Sequence, residues 1–371
     1  MEFWLHFPAG PLSEVVPEAQ DIERDGWDGI AFEDTQNLSP DPFARMALGA
    51  SATSRIGLST NVSNPVTRHP AALSTAISTI HGISGGRAVL GIGRGDSALA
   101  HLGLSPMPVS DFERSLRVIR TYLRGDEVDY QDLEPWSHHA PTLRENRPGE
   151  DRESPRSSRI HWLQNSDLEP PKIDVSATGP RVIKIGAILA DRVTFAVGAS
   201  HVPLTWSIAT ARAARAAAGL DPQGLPLGAF MTIFPSEDLE AGRRFAAPFV
   251  AGMARFAAFN GKAVIPLAEP QKQVIESMAS HYNMNRHGQS GAQTSQLTPE
   301  FIDDAAVLGP AEKCVQRLVE LFDLGLDRVV LSVGTPFEGS GRELDDAYRR
   351  LVDEVIPQVR AVTSSPRTRT G

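Results

Sequence analysis

STNVSNPVTRHPAALSTAISTIHGISGGRAVLGIGRGDSAL (Ser59–Leu99) holds two β-like runs, each followed by a loop dense in Asn, Pro, Gly or Asp, with an apolar helical segment between them. Ile56–Val62 forms the first run and Ala88–Ile92 the second; Val66–Ile83 carries helical periodicity, and Gly85-Gly86 stops it before the next strand. The loop Gly93-Arg94-Gly95 superficially suggests a dinucleotide fingerprint. Its glycines argue otherwise, because Gly91, Gly93 and Gly95 alternate along a strand end instead of opening a helix. A dinucleotide fold would also place its glycine turn after an early strand, with an acidic residue about twenty positions on.

The same strand–helix unit recurs outward from this stretch. Further β-like runs lie at Glu2–Phe7, Gly29–Glu33, Lys172–Ser176, Arg192–Val197, Leu227–Ile233 and Arg328–Ser332, giving eight in all. Between them, Ile183–Leu189 reads as a short helix. In Ala311–Asp323, Val315, Leu318, Val319 and Phe322 share one face, with Gly309-Pro310 before and Gly325 after. Alternation of this kind implies a parallel sheet with right-handed crossovers, and eight units fit a closed (β/α)8 barrel better than an open sheet. The expectation is an α/β fold, one barrel domain over residues 1–371, with insertions after the fourth and seventh strands. Gln131–Pro171 is an aperiodic excursion of the kind that forms lids or interface arms; Phe245–Phe301 combines helical patches with a polar run expected to lie over the barrel mouth.

Composition narrows the function. At 41% hydrophobic and 22% charged residues the chain is globular, its apolar runs fall short of a membrane span, and MEFWLHFPAG has neither a basic leader nor a cleavage site. A cytoplasmic protein is expected. The single cysteine, Cys314, excludes internal disulfides and multi-cysteine metal sites, and reads as a buried helix residue. A net charge of −9 argues against a broad nucleic-acid surface. His138-His139 has no partner at metal-ligand spacing, Trp136 and Trp162 either cover a substrate or pack the excursion down, and Trp4 and His6 share one face of the first strand.

TNVSNPVTRHP and SGGRAVLGIGRGDSAL, together with WDGIAFEDTQN, VSATGPRVIKIGAILADRVTFAVG and GPAEKCVQRLVELFDLGLDRVVLS, resemble the bacterial luciferase-like superfamily. They are most similar to its branch using the deazaflavin coenzyme F420, typified by methylenetetrahydromethanopterin reductase. The resemblance covers most of the chain outside the two excursions. It implies a (β/α)8 barrel, a cofactor laid across the C-terminal mouth, a small organic substrate and a homodimer. Hydride transfer with F420 is the leading expectation. A monooxygenase using reduced flavin mononucleotide (FMN) with a separate reductase, and a catalytically silent flavin-binding protein, are the alternatives.

Carried over residue by residue, the resemblance implies a cis peptide at Asn61-Val62 forming a bulge behind the flavin ring, with the Asn64 amide offered to the ring's polar edge. Asp96 would lie near the pyrimidine edge and supply a proton if burial raises its pKa; the alternative is a loop cap beside Ser97. Ser176-Ala177-Thr178-Gly179, followed by Pro180, would seat the cofactor phosphate at a helix start near Arg181 and Lys184, and Val193 is also assigned to the cofactor. Where related enzymes often carry a histidine base, this chain has Glu33-Asp34. Successive strand residues face opposite ways, so only one of the two can reach the mouth. Asp34 is the candidate, with a loop-capping role as its alternative.

Overall fold

The computed structural model describes residues 1–7, 10–136, 140–141, 155–291 and 293–364. His138-His139 lie outside these residues. Strands β1 (Glu2–Phe7), β2 (Gly29–Phe32), β3 (Gly57–Thr60), β4 (Ala88–Ile92), β5 (Lys172–Ala177), β6 (Arg192–Phe195) and β7 (Leu227–Pro235) follow in chain order. Two short strands, β8 (Ala258–Phe259) and β9 (Lys262–Ala263), form an antiparallel hairpin, β10 (Val307–Gly309) lies beside β7, and β11 (Arg328–Ser332) completes the set. Parallel pairing runs from β1 round to β7, and β11 joins β7 back to β1, closing an eight-stranded barrel. This is the (β/α)8 fold.

Helices wrap the barrel as the periodicity predicts, with differences that have local causes. The helix expected from Val66 begins at Pro70, because the preceding residues are spent on a turn closed by Asn64 and because Pro70 takes the first helical position behind a His69 ring cap. The helix expected from Ile183 begins at Pro180 for the same proline preference. Leu239–Phe256 is one continuous amphipathic crossover helix, so the second excursion starts after Phe256 rather than at Phe245. The described part of the first excursion packs down: Trp136 Nε1 donates to the Pro65 carbonyl at 3.0 Å, and Tyr122 OH bonds Ser158 Oγ at 2.7 Å. No helix among the described residues is long and apolar enough to cross a membrane. Cys314 is fully buried, and burial pushes its thiol up to about 12.

Alternation along each strand separates two cores. Phe3, Ile30, Leu58, Leu90, Val175, Val193 and Val329 face the helices, whereas Trp4, Ala31, Val89, Ala196, Phe230 and Val330 meet inside the barrel. The Trp4 indole spreads over β2, where a Cβ on Gly29 would sit 2.1 Å from the ring; only glycine admits this packing. Near the N-terminal ends of the strands a polar layer replaces apolar filling. Arg328, 2% exposed, reaches Asp174 Oδ2 at 2.5 Å and Thr194 Oγ1 at 2.6 Å. Removing one partner would leave a buried charge uncompensated. Asp174→Ala should therefore cost about 3–5 kcal/mol of unfolding free energy in urea titration, and a loss under about 1 kcal/mol would show that water solvates the guanidinium.

Candidate active site at the barrel mouth

The register between β3 and β4 builds the floor of the site. Ser59 pairs with Val89, yet the next pairing is Ser63 with Ile92, so four residue steps on one strand face three on the other. That extra residue is a bulge. The Asn61-Val62 peptide within it is cis, as expected, and the usual alternation breaks: Asn61 reaches His6 and Val62 packs on the interior cluster, so two successive side chains face inward. Gly91 is required opposite, because a Cβ there would lie 1.9 Å from the Thr60 carbonyl oxygen. Beneath the bulge, a cavity of about 10 Å3 lined by Asn61, Val62, Gly91 and Ser176 holds no more than a water, so a larger ligand has to lie above it, at the mouth.

Several expected ligand residues turn out to have other partners. Asn64 is buried, and its Oδ1 accepts from Val66 N, Thr67 N and Thr67 Oγ1, which makes it the keystone of the turn and leaves only Nδ2 to offer elsewhere. Asp96 does not cap the helix behind it; it pairs with Arg255, and its side chain is 29% exposed. Ser97 Oγ is bonded to His287 Nε2 at 2.8 Å. Val193, by contrast with its neighbours Arg192 and Thr194, is turned outward with its Cγ2 against Gly186, into the layer between barrel and helices. Asp34 also faces outward. Its Oδ2 lies 3.5 Å from Arg68 Nε, and Arg68 is in turn held by Asp41 at 2.6 Å and stacked on Phe43. Burial raises the Asp34 carboxyl above its ordinary range although Ser63, and after it Arg68, oppose the shift.

The turn after β5 keeps its expected shape. Ser176 faces inward, Ala177 packs outward, Thr178 Oγ1 donates to the Ala196 carbonyl at 3.3 Å, and Gly179 is the N-cap of helix Pro180–Leu189. No side chain caps that helix, so its first N–H groups remain available to an anion. Burial, followed by the positive charge of Arg181, depresses Arg94 beside this turn, which is the relation an anion between them would relieve.

Sequence reasoning missed four side chains. Glu33 is the member of its pair that points inward, with Oε1 3.1 Å from His6 Nε2. The last turn of helix Leu239–Phe256 brings Arg255, and the excursion after it Tyr282 and His287. Arg255 pairs with Asp96 and stacks 5.2 Å over the Tyr282 ring, while Tyr282 OH bonds His287 Nδ1 at 2.7 Å. Burial, reinforced by Arg255, pushes His287 down to about 4, so the ring that holds Ser97 is neutral at pH 7. Parity along β2 could have identified Glu33, since Ala31 two residues earlier is interior. No local signal marks the excursion residues, which lie far from the loop they meet.

The fold has counterparts among known proteins. A curated 5,10-methylenetetrahydromethanopterin reductase from Methanolobus tindarius is 26% identical over 369 residues, covering 96% of this chain and all of the relative. The solved coenzyme F420-dependent tetrahydromethanopterin reductase from Methanopyrus kandleri superposes with a TM-score of 0.71 at 19% identity, covering 96% of this chain and 99% of that one. An F420-dependent secondary alcohol dehydrogenase, solved with an F420-acetone adduct, superposes at 0.68 with 15% identity, covering 97% and 99%. The family model for luciferase-like monooxygenases matches residues 3–328, which takes in the barrel from its first strand to the start of its last and both excursions, and by that match the chain belongs to the luciferase-like monooxygenase family.

Proposed function

We propose that this chain is an oxidoreductase that passes a hydride between coenzyme F420 and a small organic substrate. The supporting observation is the two-ended mouth. Asn61 and Val62 together present an inward shelf for a flat ring, and the uncapped helix start at Gly179-Pro180, flanked by Arg94 and Arg181, presents N–H groups and positive charge for a phosphate. When bound, the deazaflavin supplies the hydride chemistry. The chain's own work is to hold ring and substrate in register and to exclude water. Helix Leu239–Phe256 and the residues after it serve the second purpose by bringing Arg255 and His287 over Asp96 and Ser97. Full-length similarity to a reductase of this class, and the F420 dependence in the names of the two solved neighbours, favour the deazaflavin over FMN.

Fluorescence titration of the purified full chain separates the coenzymes. F420 should bind with a dissociation constant on the order of micromolar, at least about tenfold tighter than FMN; the reverse order would replace the hydride-transfer reading with the FMN one. In the same assay Asp96→Asn and Arg255→Gln should each weaken F420 about two- to fivefold, the effect of a partly exposed ion pair worth up to about 1 kcal/mol. Equal affinity in both variants would detach this pair from the coenzyme.

A further inference from the structure

We propose that Glu33 is the acid–base residue of this site and that His6 is its positioning residue, while Asp34 belongs to the scaffold outside the barrel. The inference rests on the hydride-transfer reading above. Parity supplies its first argument: Ala31 packs with Trp4 inside the barrel, so Glu33, two residues on, faces the mouth, and Asp34 is turned to Arg68 and Phe43. His6, two residues after Trp4, arrives from β1 on the same side and meets Glu33 Oε1 at 3.1 Å.

Hydrogen bonding supplies the second argument. Asn61 Nδ2 lies 2.6 Å from His6 Nδ1; the amide nitrogen donates, so Nδ1 accepts and the ring proton sits on Nε2, donated to the Glu33 carboxylate. Both ring nitrogens are thereby occupied, and an edge contact with Phe249 at 5.8 Å between ring centroids fixes the plane. His6 cannot itself approach a substrate without breaking one of these bonds. Glu33 can, because His6 engages one carboxylate oxygen and the side chain keeps 31% of its surface open. The bulge carries Asn61, so the shelf and the carboxylate are aligned by one chain of hydrogen bonds. The charged and titratable groups around Glu33 are His6, Arg45 of helix Pro42–Ala52 and His287 of the excursion; burial opposes ionisation, but the hydrogen bond from His6 and the positive charge of Arg45 outweigh it and hold the carboxyl below its ordinary range.

The carboxylate so held is ionised at neutral pH, and its open oxygen is the atom placed to accept a proton, as a weak base. In the oxidative direction, a substrate carbon bearing a hydroxyl or an amine loses its C–H electron pair with the hydrogen as hydride to F420. The O–H or N–H bond breaks, its electron pair becomes the new C=O or C=N bond, and its proton goes to Glu33. In the reductive direction the same proton returns to the heteroatom.

The test uses the full chain, with Glu33→Gln, Glu33→Asp and Asp34→Asn. Reading the His6 ring by NMR at fixed pH without any coenzyme, Glu33→Gln should displace the imidazole resonances and Glu33→Asp should bring them part of the way back; resonances that do not move overturn the pairing. With F420 and a panel of secondary alcohols and amines, Glu33→Gln should bind F420 within about twofold of the parent and slow hydride transfer about 10²–10⁴-fold. Glu33→Asp should recover part of that rate with a displaced acid limb in the pH profile, and Asp34→Asn should stay within about threefold of the parent. Glu33→Gln turning over at the parent rate, or Asp34→Asn losing a hundredfold with F420 still bound, overturns the assignment of roles. Failure of the unmodified chain to bind F420 would instead overturn the hydride-transfer reading and leave the His6 resonances to decide the pairing.

Discussion

Closure of eight parallel strands imposes the constraint on which every other feature depends. Once β11 pairs with both β7 and β1, each inward position on one strand has fixed neighbours on the next, and the interior must be filled by side chains of matching size and charge. Trp4 illustrates the coupling: its indole fits only because β2 contributes Gly29 beside it. At the N-terminal end the same closure traps Arg328, and Asp174 and Thr194 from two other strands supply the partners it requires. The interior is thus apolar at mid-height and ionic at its base, which leaves only the C-terminal mouth open to a ligand.

At that mouth the bulge between β3 and β4 suspends the alternation for one residue. Without it Val62 would face the helices. With it, Asn61 and Val62 both turn inward, one to hold His6 and the other to cover the interior cluster. The local geometry needs Gly91 on the facing strand and the Asn64 turn after the bulge, so residues that read as ligands in a linear motif prove to be the parts that shape the backbone. Asn64 spends its carbonyl on that turn, and what it contributes to the site is the position of its neighbours.

The excursion after β7 completes the enclosure by charge and hydrogen bonding more than by apolar contact. Arg255 answers Asp96, and the Tyr282–His287–Ser97 chain fastens the following segment to the loop after β4. Burial keeps His287 neutral, so both of its ring nitrogens serve this bridge without adding another charge beside Arg255. The ends of two loops about 160 to 190 residues apart in the chain thereby become one surface.

How much of this was legible beforehand follows from the range of the interactions. Strand and helix periodicity, the proline and glycine boundaries and the shared facing of Trp4 and His6 are local properties, and the linear sequence determined them; the bulge at Asn61-Val62 was legible only through the family resemblance of its motif. The helix start at Pro180 was equally legible, because a proline after a small-residue loop is a property of consecutive residues. The choice between Glu33 and Asp34 was narrowed to one of two by alternation and settled only by the register of β2 in the closed barrel. The partners of Asp96 and Ser97, the outward turn of Val193 and the extent of the second excursion were decided by tertiary structure alone. Each depends on where closure of the barrel delivers a side chain from another strand or a distant loop, and no spacing along the chain encodes that distance.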